Sequence, residues 1–202
     1  VNKLRETAKR FIERGIECRC FNTGKDALDA LMEDLKGSER IAMGGSVTLQ
    51  ELGIYEALKE RGQELLWHWK VPADEMSRVR REAMAADVYL TSSNAVIEDG
   101  RLLNIDGIGN RVAAMFFGPP RVIVIAGRNK LAPDYTQALD RIKNVAAPRN
   151  AVRLKRDTPC RYSGRCQDCR SPQRMCQVTV CIENRLEGRK LEVWLVDQEL
   201  GY

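Results

Sequence analysis

A chain of 202 residues can bury one ordinary globular core with a short appendage, which excludes two full domains. With 44% hydrophobic and 30% charged residues, and no unbroken apolar run near the roughly twenty residues that span a bilayer, membrane insertion is excluded as well. The net charge of +5 is local, because seven basic residues meet only Asp157 and Asp168 between Arg153 and Arg174, and that excess equals the excess of the whole chain. These cations surround cysteines and lack an aromatic stacking surface, so no nucleic-acid partner is expected.

Up to about residue 147 the pattern alternates between helix and short strand, the mark of an α/β sheet. LRETAKRFIERG predicts an amphipathic helix closed by Gly15, IECRCF a short strand, and KDALDALMEDLKG a second helix stopped at Gly37. RIAM then enters GGSVT, followed by one amphipathic helix over LQELGIYEALKERG and the apolar run ELLWHW. In that run, strand alternation places Trp67 and Trp69 on one face and His68 on the other, read as a structural histidine. DEMSRVRREAMAA predicts a helix, DVYLTSSNA a strand entering a polar loop, and VIEDGRLLNID a hairpin turning at Asp99-Gly100. After GIGNRVAAMFFG comes RVIVIAG, the clearest buried strand, rich in β-branched residues. Beyond Pro148 a cysteine-rich segment, 158–176, is too poor in large apolar residues to form a core unaided, and 177–197 predicts a terminal β-hairpin.

In such sheets ligands collect beyond the carboxyl ends of strands. MGGSVT offers Gly44 and Gly45 for close backbone approach, with Ser46 and Thr48 hydroxyls beside a helix start. That combination suits phosphate or carboxylate, although a plain turn with Ser46 as N-cap satisfies the same residues. Ser92, Ser93 and Asn94 form a companion loop. Asp106, Gly107, Asn110 and Arg111 supply an acceptor, a tight turn, a two-way amide and a fixed cation, while Arg128 or Lys130 after the best strand faces either an anionic ligand or solvent. Neither a Walker loop nor a dinucleotide fingerprint is present, and no Ser-His-Asp or Cys-His set assembles by local spacing.

Cys160, Cys166, Cys169 and Cys176 are spaced C-x5-C-x2-C-x6-C. One CxxC pair with remote thiolates suits a [4Fe-4S] cluster, a structural zinc, or a loop that binds nothing. Arginines nearby would offset the negative charge of four metal-bound thiolates. VNKLRETAKRF at the start is charged rather than apolar, so the expected compartment is the reducing cytoplasm and disulfides are the least favoured use of these thiols. Cys18, Cys20 and Cys181 sit in strand patterns and are read as packed thiols.

GGSVTLQELGI, TSSNAVIEDGRLLNIDGIGNR, GPPRVIVIAGRNK and the cysteine pattern, in that order, resemble the LUD-domain or lactate-utilisation family over essentially the whole chain, 1–202. The resemblance implies a single α/β domain with the fold of ribose-5-phosphate isomerase, glucosamine-phosphate deaminase and the CoA transferases, whose glycine/serine loops hold phosphate or carboxylate. It implies no isomerase, since the catalytic glutamates and lysines of the sugar-phosphate relatives find no clear match. It further implies an accessory or electron-transfer role in organic-acid, lactate-type utilisation, with a small anionic metabolite as ligand and iron–sulfur or flavin oxidoreductase partner subunits. This association places the cluster ahead of zinc, and a homo-oligomer is admissible. The competing expectation is a non-catalytic regulatory or assembly module stapled by zinc.

Overall fold

The structure is a computed structural model that describes residues 2–35, 37 and 39–202. In chain order the elements are α1 (Asn2–Glu13), β1 (Glu17–Phe21), α2 (Gly24–Asp34), β2 (Ile41–Met43), α3 (Val47–Glu51), α4 (Ile54–Glu60), β3 (Leu65–Trp67), α5 (Met76–Glu82), β4 (Val88–Thr91), β5 (Ala95–Ile97) and β6 (Arg101–Asp106). They continue with α6 (Asn110–Phe117), β7 (Arg121–Gly127), β8 (Leu131–Ala132), α7 (Tyr135–Arg141), α8 (Ala147–Arg153), α9 (Pro159–Ser163), β9 (Val178–Ile182) and β10 (Lys190–Val196).

The β-branched runs pair as a six-stranded, wholly parallel sheet in the order β1-β10-β7-β4-β2-β3. Alternate side chains feed two cores. Val122, Val124 and Ala126 of β7 join Phe11, Val112 and Met115 on one face, and Ile123 and Ile125 join Leu31, Leu49, Ile54 and Leu58 on the other. A smaller sheet, β8-β5-β6-β9, covers part of the first face through Val96, Leu102 and Ile182 and packs its outer side on α7. The expected hairpin over Asp99-Gly100 is present as the antiparallel pair β5 and β6.

Three sequence expectations are corrected. The 177–197 segment is not a hairpin: β9 pairs with β6 in the small sheet, while β10 inserts between β1 and β7 in the large one. The single helix expected over 49–62 divides into α3 and α4, because Gly53 takes a left-handed φ of 64°. α2 ends at Asp34, short of Gly37, and Lys36 of the same pattern lies outside the described residues. α7 runs through a π-helical stretch at Ile142–Ala146 directly into α8. A proline inside a helix lacks an N–H and crowds the carbonyl four residues earlier, and the widened π turn just upstream accommodates it.

Candidate functional site: a cationic cavity beside a thiol pocket

The loops after β2, β3, β4 and β7 all leave the same edge of the parallel sheet, and together with α8 they enclose a cavity of about 260 Å³. Gly45, Ser46, Thr48, Ser92, Ser93, Asn94, Asp106, Gly107, Asn110 and Arg111, all expected at the site, line it. Arg128 does not: it is exposed and reaches Asp197, whereas Lys130, two residues on, points inward. Gly44 lies just behind the wall.

The glycines are required by packing. A Cβ on Gly44 would sit 2.7 Å from Thr91 Oγ1 and 2.9 Å from the Tyr89 hydroxyl, and one on Gly45 would sit 2.9 Å from Trp69 Nε1. Ser46 caps α3 by accepting from the Leu49 N–H, so its hydroxyl oxygen is engaged, and α3 is only five residues long. Ser93 donates to the Ala95 carbonyl at 2.7 Å.

Arg111 is a keystone rather than a free cation. Its Nε donates to Asp106 Oδ1 (2.9 Å), NH1 to Asn104 Oδ1 (2.6 Å) and the Ser92 carbonyl (3.1 Å), and NH2 to Asn94 Oδ1 (2.7 Å). Asp106 Oδ2 in turn accepts from the Val112 N–H. The pair is about nine-tenths buried on both sides. It ties the loop after β4 to the end of β6 and the start of α6, and its charges cancel inside the wall. Arg111, expected at the ligand, thus lines the cavity with its guanidinium already tied into the wall.

Of the cations lining the cavity, local sequence singled out Lys130 but not Arg80, Arg153 or Arg156. Arg153 and Arg156 stand at the mouth, with Arg153 stacked 4.4 Å over Trp69 and bonded to the Tyr202 hydroxyl oxygen. Arg80 lines the inner wall with a buried Nε that has no hydrogen-bond partner among the described residues. Lys130 is 4% exposed and donates to Thr48 Oγ1 and Ser92 Oγ, each at 2.9 Å. Burial, aided by Arg141 and Arg111 and opposed by Glu51, pulls its pKa down to about 7. His68 also lines the cavity, because β3 ends at Trp67 and the strand expected through Trp69 becomes a turn in which the two indoles stack at 5.3 Å. Burial, with Arg80 and Arg153 nearby, lowers its pKa to about 4, so the imidazole is neutral at physiological pH.

Across one wall lies a second, much smaller cavity of about 30 Å³, lined by Cys160, Cys166, Cys169 and Cys176 with Lys143 and Arg174. All seven cysteines are free. Cys166 is held by its N–H donating to Asn144 of the π stretch, and Arg174 bonds the carbonyls of Cys169 and Cys176. Burial pushes the Cys176 thiol up, and the other three cysteines add to the shift, a sign that the four sulfurs share one neighbourhood. Among the described residues, however, no three or more His, Cys, Asp or Glu side chains converge closely enough to hold a metal ion as they stand. Cys18 and Cys181 are half-buried packed thiols, as read from the strand patterns, whereas Cys20 is exposed.

Fold and site thus define a parallel α/β domain with a cationic cavity at the carboxyl ends of its strands. Residues 4–196 match the family model of the LUD domain, and the chain belongs to that family. The fold is that of a DUF162 family protein from Deinococcus radiodurans, at 15% identity and a TM-score of 0.57 over 96% of each chain. Ribose 5 phosphate isomerase A from Neisseria gonorrhoeae aligns at 17% identity and a TM-score of 0.37 over 55% of this chain and 54% of its own. A comparison with curated proteins gives no match. No helix among the described residues is long and apolar enough to cross a membrane.

Proposed function

We propose that this LUD-domain protein binds a small organic anion of the lactate or pyruvate kind and serves as an electron-transfer component of organic-acid utilisation. The observation that carries the reading is that Ala147, Met175 and Cys176 belong to the walls of both cavities. Arg80, Arg153 and Arg156 supply positive charge to the larger one, while its carboxylate, Asp106, is already neutralised by Arg111. A carboxylate entering there is attracted at the mouth by exposed guanidinium groups and meets stronger fields as water is excluded.

The donor set of the smaller cavity, four thiols offset by Lys143 and Arg174, suits a [4Fe-4S] cluster on Cys160, Cys166, Cys169 and Cys176, for which these side chains would have to draw inward. When bound, such a cluster supplies one-electron transfer. The basic surface around it suits an acidic iron–sulfur or flavin oxidoreductase as partner. Purification without oxygen, followed by visible spectroscopy and assay of iron, sulfide and zinc, tests the reading. Iron and sulfide in equal amounts are expected, with a broad absorption that bleaches on reduction, shifts when lactate or pyruvate is added, and is lost in a Cys166→Ser/Cys169→Ser variant. Tightly held zinc would make the segment a staple, and a colourless protein with every thiol titratable would remove the metal altogether.

A further inference from the structure

Lys130 is buried, and the hydrogen bonds of its amine go to hydroxyls. It leaves the turn after β7, dives into the cavity wall and spends its hydrogen bonds on two neutral hydroxyls, Thr48 and Ser92. Arg111 and Arg141 bear on it electrostatically, Arg141 from its bonds to the Asn94 and Asn129 carbonyls, and Glu51 is the acid that opposes them. The tail covers it as well, since a Cβ on Gly201 would lie 3.5 Å from its Nζ. Desolvation beside cations disfavours the ammonium form of an amine, and it is the arrangement that makes lysine a nucleophile toward carbonyl carbon.

We propose that Lys130 condenses with the carbonyl of a small oxo acid held in the cavity, forming an imine. The inference deepens the anion-binding reading and rests on it: the carboxylate is held by Arg80, Arg153 and Arg156, which leaves the oxo carbon for the amine. The nitrogen lone pair forms the C–N bond, and the carbonyl oxygen takes a proton from nitrogen to give a carbinolamine. The C–O bond then breaks and the oxygen leaves as water with the second nitrogen proton. No electrons are exchanged. Thr48 and Ser92, 2.9 Å from Nζ, are placed to pass both protons. At pH 7 an amine with a pKa of about 7 is about half unprotonated, against roughly one in 2,500 for an ordinary lysine.

The test incubates the full chain with pyruvate or glyoxylate and sodium cyanoborohydride, then locates the reduced adduct by peptide mass spectrometry. One adduct, on Lys130, is expected, with its yield rising as pH passes upward through about 7 and vanishing in Lys130→Arg. Labelling spread evenly over the surface lysines, or a yield that rises only near pH 10 as for a solvated lysine, would overturn the proposal. Should the variant fail to fold, the pH profile of the unaltered protein decides independently. Calorimetry with pyruvate and lactate separates the two readings. Both acids binding without any trapped adduct would sink the imine and leave the anion site standing, whereas no binding and no adduct would sink both.

Discussion

Arg111 and Lys130 sit within reach of the same Ser92, and the difference between them is the difference between structure and chemistry. Arg111 has a carboxylate partner and every nitrogen engaged, so removing either member strands a buried charge. Arg111→Ala and Asp106→Asn are each expected to cost about 3–5 kcal/mol in urea unfolding, whereas Arg153→Ala at the exposed mouth should stay within about 0.5 kcal/mol. Equal costs for the buried and exposed arginines would contradict the keystone role. Sequence made the two loop cations after β7 equivalent. Which of Arg128 and Lys130 turns inward is decided by a single 3-10 turn, and that is invisible until the strand's end is fixed. His68 escaped for a similar reason: the alternation of Trp67, His68 and Trp69 suggested continued strand, and the chain turns instead.

Between elements, the strongest constraints are places where backbones nearly touch. Gly100, at φ 90° in the β5–β6 turn, lies so close to α1 that a Cβ would meet the Arg10 carbonyl carbon at 2.6 Å. Gly100→Ala combines that clash with a left-handed backbone and should cost about 1–3 kcal/mol, read as a lowered urea midpoint with unchanged slope. A neutral outcome would mean that α1 is free to move away. The elements themselves were largely legible, since helix periodicity, the Asp-Gly turn and the apolar run of β7 all read correctly. Pairing was not. β9 and β10 look like a hairpin because each follows the other through a turn, yet β10 is buried along both faces and is therefore a central parallel strand, while β9 is an edge. The unbroken apolar stretch Val193–Val196 was the signal for this, outweighed by the nearby turn. The π stretch before Pro148 had no local signature, yet it carries Asn144 to the Cys166 backbone and Ile142 and Ala146 to the cavity.

Across the whole molecule, the parallel sheet brings the loops after four of its strands to one wall, which the loop after β6 completes. The Gly-Gly-Ser, Ser-Ser-Asn and Asp-Gly loops were legible because small and polar residues follow apolar strands. The guanidinium groups of Arg80, Arg153 and Arg156 were not, because Arg80 comes from the surface-like helix α5 and the other two from the end of α8 and the chain just after it, where they read only as part of a basic run. The cysteine segment packs against that wall instead of standing apart: the Gln177 N–H donates to the Asp106 carbonyl, which joins the thiol pocket to the loop that carries the keystone pair.

The positive cavity is most directly tested by titration calorimetry of lactate, pyruvate and glyoxylate into the protein at two ionic strengths, alongside an Arg153→Ala/Arg156→Ala variant. One site per chain is predicted, weakened by salt as expected for guanidinium groups at an open mouth and weakened about tenfold or more in the double variant. Undetectable binding of every short carboxylate, or binding indifferent to both salt and the two arginines, would contradict it.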